Sequence, residues 1–357
     1  MKKLDHKIRI KDIATLAGVS EGTVDRVLHN RGEVSTKSRE AVSRVLEEMN
    51  YTPNLFARSL ASKKQYRFVC LFPSYQPGEY WKSIENGFDL AASDFLHHNV
   101  RIEKIYFDQF DVNSFVYVSE RILKSEPDAV IVAPIFKNET YAFTNKLVEQ
   151  KIPFSFIDSM IEEADFQTYY GQNSFQSGYI AAKLSLSPLI EKDQVLVVRN
   201  NRRGAVSNQT ENRYKGFMQY IYDNGLTDCI ALVYIEMQED DEVSNLEALR
   251  RIFDENPNIK AAVTFNSKVY RLAKHLDSLN QANVRLIGYD LLEQNVSYLQ
   301  KGIISYLISQ RPDKQAYFTV RDMCRKLIFK QDITKINYVP IDILIKENIE
   351  YYLNFKE

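Results

Sequence analysis

Apolar residues recur along this chain in two rhythms. Over residues 10–49 they return at helical spacing: Ile10, Ile13, Ala14, Leu16 and Ala17 form one stripe, Val24, Val27 and Leu28 a second, and Ala41, Val42, Val45, Leu46 and Met49 a third. Gly18 terminates the first stripe and Ser20 stands as N-cap of the second, so the connection is only about three residues long and predicts a helix-turn-helix. A third helix after Ser35 closes the small core. Pro53 then breaks the preceding helix, Asn54 can cap a new one, and Leu55 to Ala61 form a short helix that is marginal alone in water.

From Arg67 the rhythm changes. Short apolar runs, "RFVCLF", "DAVIVA", "IPFSFID", "DQVLVVR", "IALVYI", "AAVTF" and "VRLIGY", are separated by helix-like stretches such as "YWKSIENGFDLAASDFL" and "KVYRLAKHLDSL". This alternation predicts parallel sheets wound by crossover helices. About 290 residues exceed one comfortable sheet core, so two similar subdomains with a cleft between them are expected. The fold class is an all-α helix-turn-helix head followed by an α/β body of two doubly wound parallel-sheet subdomains.

Charge sharpens the division. Residues 1–65 carry 13 Lys+Arg against 8 Asp+Glu, and the remainder carries 33 against 39, a basic head on an acidic body that suggests one partner for each. Cys70, Cys229 and Cys324 lie far apart with no C-x-x-C pair, which gives neither a disulfide framework nor a zinc spacing. No apolar run reaches about 18 residues and the N-terminus lacks a signal-peptide core, so a cytoplasmic protein with no membrane partner is expected. An enzyme finds no support, since G-x-G-x-x-G, G-x-x-x-x-G-K-[ST] and H-E-x-x-H are all missing. Adjacent His97 and His98 diverge by about 100° on a helix and cannot chelate one ion. No cofactor or metal is expected.

The segments "IKDIATLAGVSEGTVDRVLHNRGEVSTKSREAV", "MNYTPNLFARSLASK", "FNS", "IGYD" and "ISQRPDKQAY", in this order, resemble the lactose repressor (LacI/GalR) family of bacterial transcription regulators over nearly the whole chain. The resemblance implies a helix-turn-helix domain at 1–52, a hinge helix and linker at 53–65, and a sensor of the type I periplasmic-binding-protein kind at 66–357. The sensor's N-subdomain would take about 66–170 and 311–331, and its C-subdomain about 171–310 and 332–357.

In such a head the second helix presents its first residues to base edges in the major groove. Glu21 sits where the helix dipole favours an acid, and its carboxylate can accept from cytosine N4. Gly22 lets the backbone approach closely, and Arg26, one turn on, reaches guanine or phosphate. The resemblance makes 21 and 22 specificity positions and Arg26 a base contact, with Asp25 departing from the usual serine. Thr23, His29, Asn30, Arg31 and Lys37 are candidate phosphate contacts. In the hinge, Leu60 matches a leucine that wedges into the minor groove and kinks the duplex. Asn54, Arg58, Ser59, Ala61, Lys63 and Lys64 flank it.

Sugar sites combine an aromatic face with convergent hydrogen-bonding groups. Tyr80 and Trp81 match the family fold's stacking positions, Arg213 its cleft arginine, and Asn266, Asp290 and Gln310 its polar contacts at strand C-terminal ends. Two departures matter: Phe136 stands where ribose-type relatives place an aspartate, and Ser267 replaces an acid. Lys137 and the pair Arg202-Arg203 lean the reading slightly toward an acidic ligand such as a uronic acid or sugar phosphate. The expected function is a dimer that binds a near-palindromic double-stranded DNA operator, represses carbohydrate-utilisation genes, and senses a small sugar or sugar derivative in its cleft. A nucleobase, another acid or a protein co-effector is the alternative, and an α/β enzyme the more distant rival.

Overall fold

The structure, a computed structural model, describes residues 10–28, 32–49, 64–187, 193–200, 207–238 and 241–355. The chain divides into two compact units at Lys63/Lys64. In the first, α1 (Ile10–Ala17), α2 (Glu21–Leu28) and α3 (Thr36–Glu48) pack around Ile13, Ala14, Val24, Val42 and Val45. Gly18, at φ +66°, turns the chain out of α1. Ser20 Oγ then accepts from Thr23 N–H at 3.1 Å, and Ser35 Oγ accepts from Ser38 N–H at 3.2 Å, capping α2 and α3. Leu16 departs from the expected stripe and is exposed, because a 3.6-residue period carries it off the face that Ile10, Ile13, Ala14 and Ala17 share. Of the expected hinge at 53–65, only Lys64 and Gln65 are among the described residues.

The second unit holds two sheets. The first contains β1 (Tyr66–Pro73), β2 (Val100–Phe107), β3 (Ala129–Val132), β4 (Phe154–Asp158), β5 (Tyr169–Gly171) and β11 (Ile336–Tyr338), ordered β11-β5-β4-β3-β1-β2 and parallel throughout. The second contains β6 (Gln194–Asn200), β7 (Ala231–Met237), β8 (Ile259–Thr264), β9 (Arg285–Tyr289), β10 (Ile304–Ser309) and β12 (Asp342–Leu344) in the matching order β12-β10-β9-β8-β6-β7, with β12 antiparallel. Helices α4 (Tyr80–Phe95) and α12 (Pro312–Leu327) cover one face of the first sheet, and α5 (Val112–Lys124) and α6 (Lys137–Glu149) the other. In the second sheet α7 (Ser174–Leu186) and α8 (Asn208–Asp223) cover one face. The other lies under α9 (Glu242–Glu255), α10 (Val269–Ser278), α11 (Glu293–Gln300) and α13 (Ile349–Asn354). Both faces are covered, so the central strands are mostly apolar.

The chain passes between the lobes at 172–173, 310–311 and 339–341. The third crossing corrects the expected boundary at 331/332: β11 pairs in parallel with β5, so residues 336–338 belong to the first sheet. Asn337 holds that short strand, its side-chain amide donating to Thr168 Oγ1 and to the Thr334 carbonyl, both at 3.0 Å. The crossings are laced together, with Gln172 Nε2 donating to Ser309 O at 2.9 Å and Arg311 Nε to Asp342 Oδ2 at 2.7 Å.

Helices α7 and α8 pack backbone to backbone at two points. A Cβ at Gly178 of α7 would collide with the Arg213 carbonyl in α8, and one at Gly216 of α8 with the Phe175 carbonyl in α7. Neither obstacle is a flexible side chain, so an added methyl must push the helices apart. Gly178→Ala is therefore expected to destabilise the sensor by about 1–3 kcal/mol, read as a lower urea midpoint at unchanged slope. An unchanged midpoint would contradict the close packing.

Candidate functional site

The C-terminal ends of β1, β3, β4, β8, β9 and β10 face one another across the gap between the lobes, the position at which open parallel sheets gather ligand-binding loops. They enclose a cavity of about 300 Å³. Its centre is Arg213, buried on α8: Nη1 donates to Phe265 O at 2.9 Å, Nη2 to Gln310 Oε1 at 3.2 Å, and the guanidinium lies 3.8 Å from the Tyr289 ring centroid. Gln310 passes the network on, its Nε2 donating to Asp290 Oδ1 at 2.9 Å.

The first lobe answers with Asp158. Tyr80 donates to its Oδ1 at 2.7 Å, Gln315 Oε1 accepts from its backbone N–H at 3.0 Å, and Gln209 from the opposite lobe donates both to Asp158 Oδ1 (3.2 Å) and to Gln310 Oε1 (2.9 Å). Asp158 and Asp290 are structural counterparts: Asp158 ends β4 and Asp290 follows the equivalent strand β9, each is buried, and each sits at positive φ, +68° and +70°. A left-handed backbone at a non-glycine residue is uncommon and clusters at binding sites, where the surroundings must hold it. Here the amides of Gln315, Gln310 and Asn295 do so.

Trp81 and Tyr80 meet edge to face, with centroids 5.1 Å apart, and both border the cavity. At the mouth, Lys268 Nζ of the second lobe lies 3.0 Å from Glu79 Oε1 of the first. Four carboxylates border the cavity, Glu79, Asp158, Asp290 and Glu293, against two cations, Arg213 and Lys268. Burial pushes the Asp290 carboxyl up to about 6, against the opposing pull of Arg213 and the Gln310 hydrogen bond. The Tyr80 phenol is likewise driven well above its ordinary value, first by burial and then by the charges of Asp158 and Asp290. The cavity therefore offers one dominant donor, several acceptors and an aromatic wall, which is chemistry for gripping hydroxyl groups.

Residues 9–54 match the bacterial regulatory proteins of the lacI family, and residues 69–331 match the periplasmic binding protein domain. A structure described as a LacI transcriptional regulator from Bacteroides fragilis is 37% identical, with a TM-score of 0.76, over 81% of this chain and 100% of that one. The chain belongs to the LacI family. It is similar to the HTH-type transcriptional regulator MalR of Streptococcus pneumoniae, 23% identical over 287 residues (79% of this chain, 83% of MalR). It is also similar to the ribose operon repressor of Lactococcus lactis, 23% identical over 296 residues (80% and 82%). As a LacI-family protein it is a DNA-binding transcriptional regulator and not an enzyme, and its second unit has the periplasmic-binding-protein fold.

All six ligand candidates expected in this LacI-family chain, Tyr80, Trp81, Arg213, Asn266, Asp290 and Gln310, border the one cavity. Asn266 Oδ1 accepts from Lys268 N–H at 2.8 Å, so it offers the cavity its amide NH2. Asp158, Gln209 and Lys268 were missed by sequence reasoning, although "FID" at the end of β4 echoes "GYD" at the end of β9. Phe136 turns away and packs with Phe107 and Phe115, leaving Pro134 and Ile135 to line the cavity. Lys137 does not supply the expected cation, because it lies outside this cavity and faces Glu163 at 3.5 Å. Arg202 and Arg203 lie outside the described residues.

In the head, Glu21, Gly22 and Arg26 are exposed on α2, and Thr23 is half-buried with its hydroxyl 2.9 Å from Ser20 Oγ. The expected contacts His29, Asn30, Arg31, Asn54, Arg58, Ser59, Leu60, Ala61 and Lys63 lie outside the described residues. Among the described residues no helix is long and apolar enough to cross a membrane, and no His/Cys/Asp/Glu group is arranged to hold a metal.

Asp290 makes stability depend on pH. Its folded pKa, about 6, lies above the ordinary 3.8, so its protonated form favours the native state. That contribution is complete below about pH 4, is lost as pH rises through about 6, and amounts to about 3 kcal/mol. Asp290→Asn is expected to flatten this decline in ligand-free protein and to raise its melting temperature at pH 7 relative to wild type. Parallel curves from pH 4 to 8 would contradict the buried carboxylate.

Proposed function

We propose that this regulator is a dimeric repressor of carbohydrate-utilisation genes whose cleft senses a small neutral sugar. The carrying observation is the Arg213, Gln310, Asp290 and Asp158 network, drawn from both lobes around a cavity of about 300 Å³ beside Trp81. Sugar hydroxyls both donate and accept, matching a site that mixes one guanidinium with carboxylates and amides. The surplus of carboxylates disfavours uronic acids and sugar phosphates, which reverses the slight lean toward an acidic ligand. The name of the ribose operon repressor supports both repression and a carbohydrate effector.

In the operator complex, two copies of α2 enter successive major grooves of a near-palindrome, with Glu21 and Arg26 on base edges and Thr23 on the backbone. A ligand that bridges Asp158 and Arg213 favours the closed cleft, and closure shifts the lobe that follows the linker. A coupling of about 1–3 kcal/mol suffices.

Three measurements test this. A thermal-shift screen should find a neutral monosaccharide that stabilises the protein by roughly 2.7 kcal/mol at 100 times its dissociation constant. Arg213→Ala should abolish that shift and the operator response while ligand-free operator binding persists. Stabilisation by uronic acids or sugar phosphates alone, or an intact response in Arg213→Ala, would overturn the assignment. Glu21→Gln should change the selected base at one symmetric pair of operator positions more than total affinity, and an identical selected motif would remove Glu21 from base reading.

A further inference from the structure

A second cavity, of about 410 Å³, lies where the first crossing passes between the lobes. Met160, Tyr169 and Tyr338 border it from the first lobe, and Phe175, Asn208 and Asn212 from the second. It shares Ser159 with the ligand cavity, and its wall is bonded to that site. Tyr169 donates to the Asp158 carbonyl at 3.3 Å, and Gln172 donates to the carbonyl of Ser309, the neighbour of Gln310, at 2.9 Å.

Its chemistry differs from a charged site. Lys137 faces Glu163 at 3.5 Å and Lys215 faces Glu211 at 2.9 Å, so the cations at its border are compensated. What remains is one further carboxylate, Glu162, and a set of amides with two partly exposed rings, Phe175 at 41% and Tyr338 at 53% exposure. Gln172, also at its border, is buried with an Oε1 that has no hydrogen-bond partner among the described residues, so the wall is short of donors. Amides that donate and accept beside exposed ring faces suit a neutral ligand rich in hydroxyl groups.

We propose that this hinge cavity is a second binding site, for a monosaccharide or polyol, distinct from the cleft site and coupled to it. The coupling follows from Tyr169 and Gln172, which hold Asp158 and the second crossing from behind. By linkage, each ligand changes the affinity of the other by the same factor.

Trp81 is the sole tryptophan and borders the first cavity. Full-length Trp81→Phe/Phe175→Trp therefore moves the fluorescent reporter to the second. Titrated with D-glucose, D-galactose, D-ribose and myo-inositol into the millimolar range, it should give a saturable emission change with at least one of them. That change should survive addition of Arg213→Ala and weaken at least about tenfold with Asn212→Leu or Tyr338→Ala. Equilibrium dialysis of the same sugars with the Arg213→Ala chain, free of reporter substitutions, should still find one bound sugar per chain. No saturable binding to the Arg213→Ala chain by either method, or binding untouched by Asn212→Leu and Tyr338→Ala, would overturn the second site.

Discussion

A guanidinium cannot be buried without acceptors, and the arrangement of this sensor follows from supplying them to Arg213. Taking a cation out of water costs several kcal/mol even after relaxation, and the cost is met only when geometry and hydrogen bonds are good. Arg213 receives a main-chain carbonyl, a glutamine oxygen, a tyrosine face and the field of the buried Asp290 carboxylate. Its Nε remains without a partner among the described residues. Those groups come from the ends of β8, β9 and β10, and Gln209 of α8 ties Gln310 to Asp158 of the opposite lobe. The lobes are therefore joined through the ligand site, and what enters the site bears on how they sit.

The backbone is built to bring Arg213 there. Gly178 and Gly216 let α7 and α8 approach until main chain meets main chain, and Gly178 lies against the Arg213 backbone itself. Gly87 does the same for α4 against Asp313 of α12 in the first lobe. Helix α4 carries Tyr80 and Trp81, and α12 carries Gln315, so each close pair positions part of the site. Asp158 and Asp290, at equivalent strand ends in unfavourable backbone geometry, add the strain expected where binding rather than stability sets the residue.

Much of this was legible in the chain. Buried strands such as "VLVVR" and "AVIV" announce themselves because both faces are covered, and Asn266, Asp290 and Gln310 reach the cavity because they sit just past the ends of such strands, while Tyr80, Trp81 and Arg213 reach it from α4 and α8. Of the four edge strands, only β7, read as "IALVYI", was legible. β2 carries Arg101, Glu103 and Lys104, with Arg67 pairing Glu103 and Lys104 meeting Glu85 and Asp89, so its charge conceals a strand. β5, β11 and β12 have three residues each, too few for a period, and the missed β11 put the last crossing too early. Asp158 escaped because nothing local separates a strand-end carboxylate that caps a turn from one that faces a cleft. Only the fold brings Gln209 to it.

The most direct test is a crystal structure of the protein with the neutral sugar that stabilises it best. The account predicts hydroxyl groups bonded to Arg213 and Asp290 on one lobe and to Asp158 on the other, with a ring face against Trp81. A sugar held by one lobe alone, or by residues remote from Arg213, would contradict it.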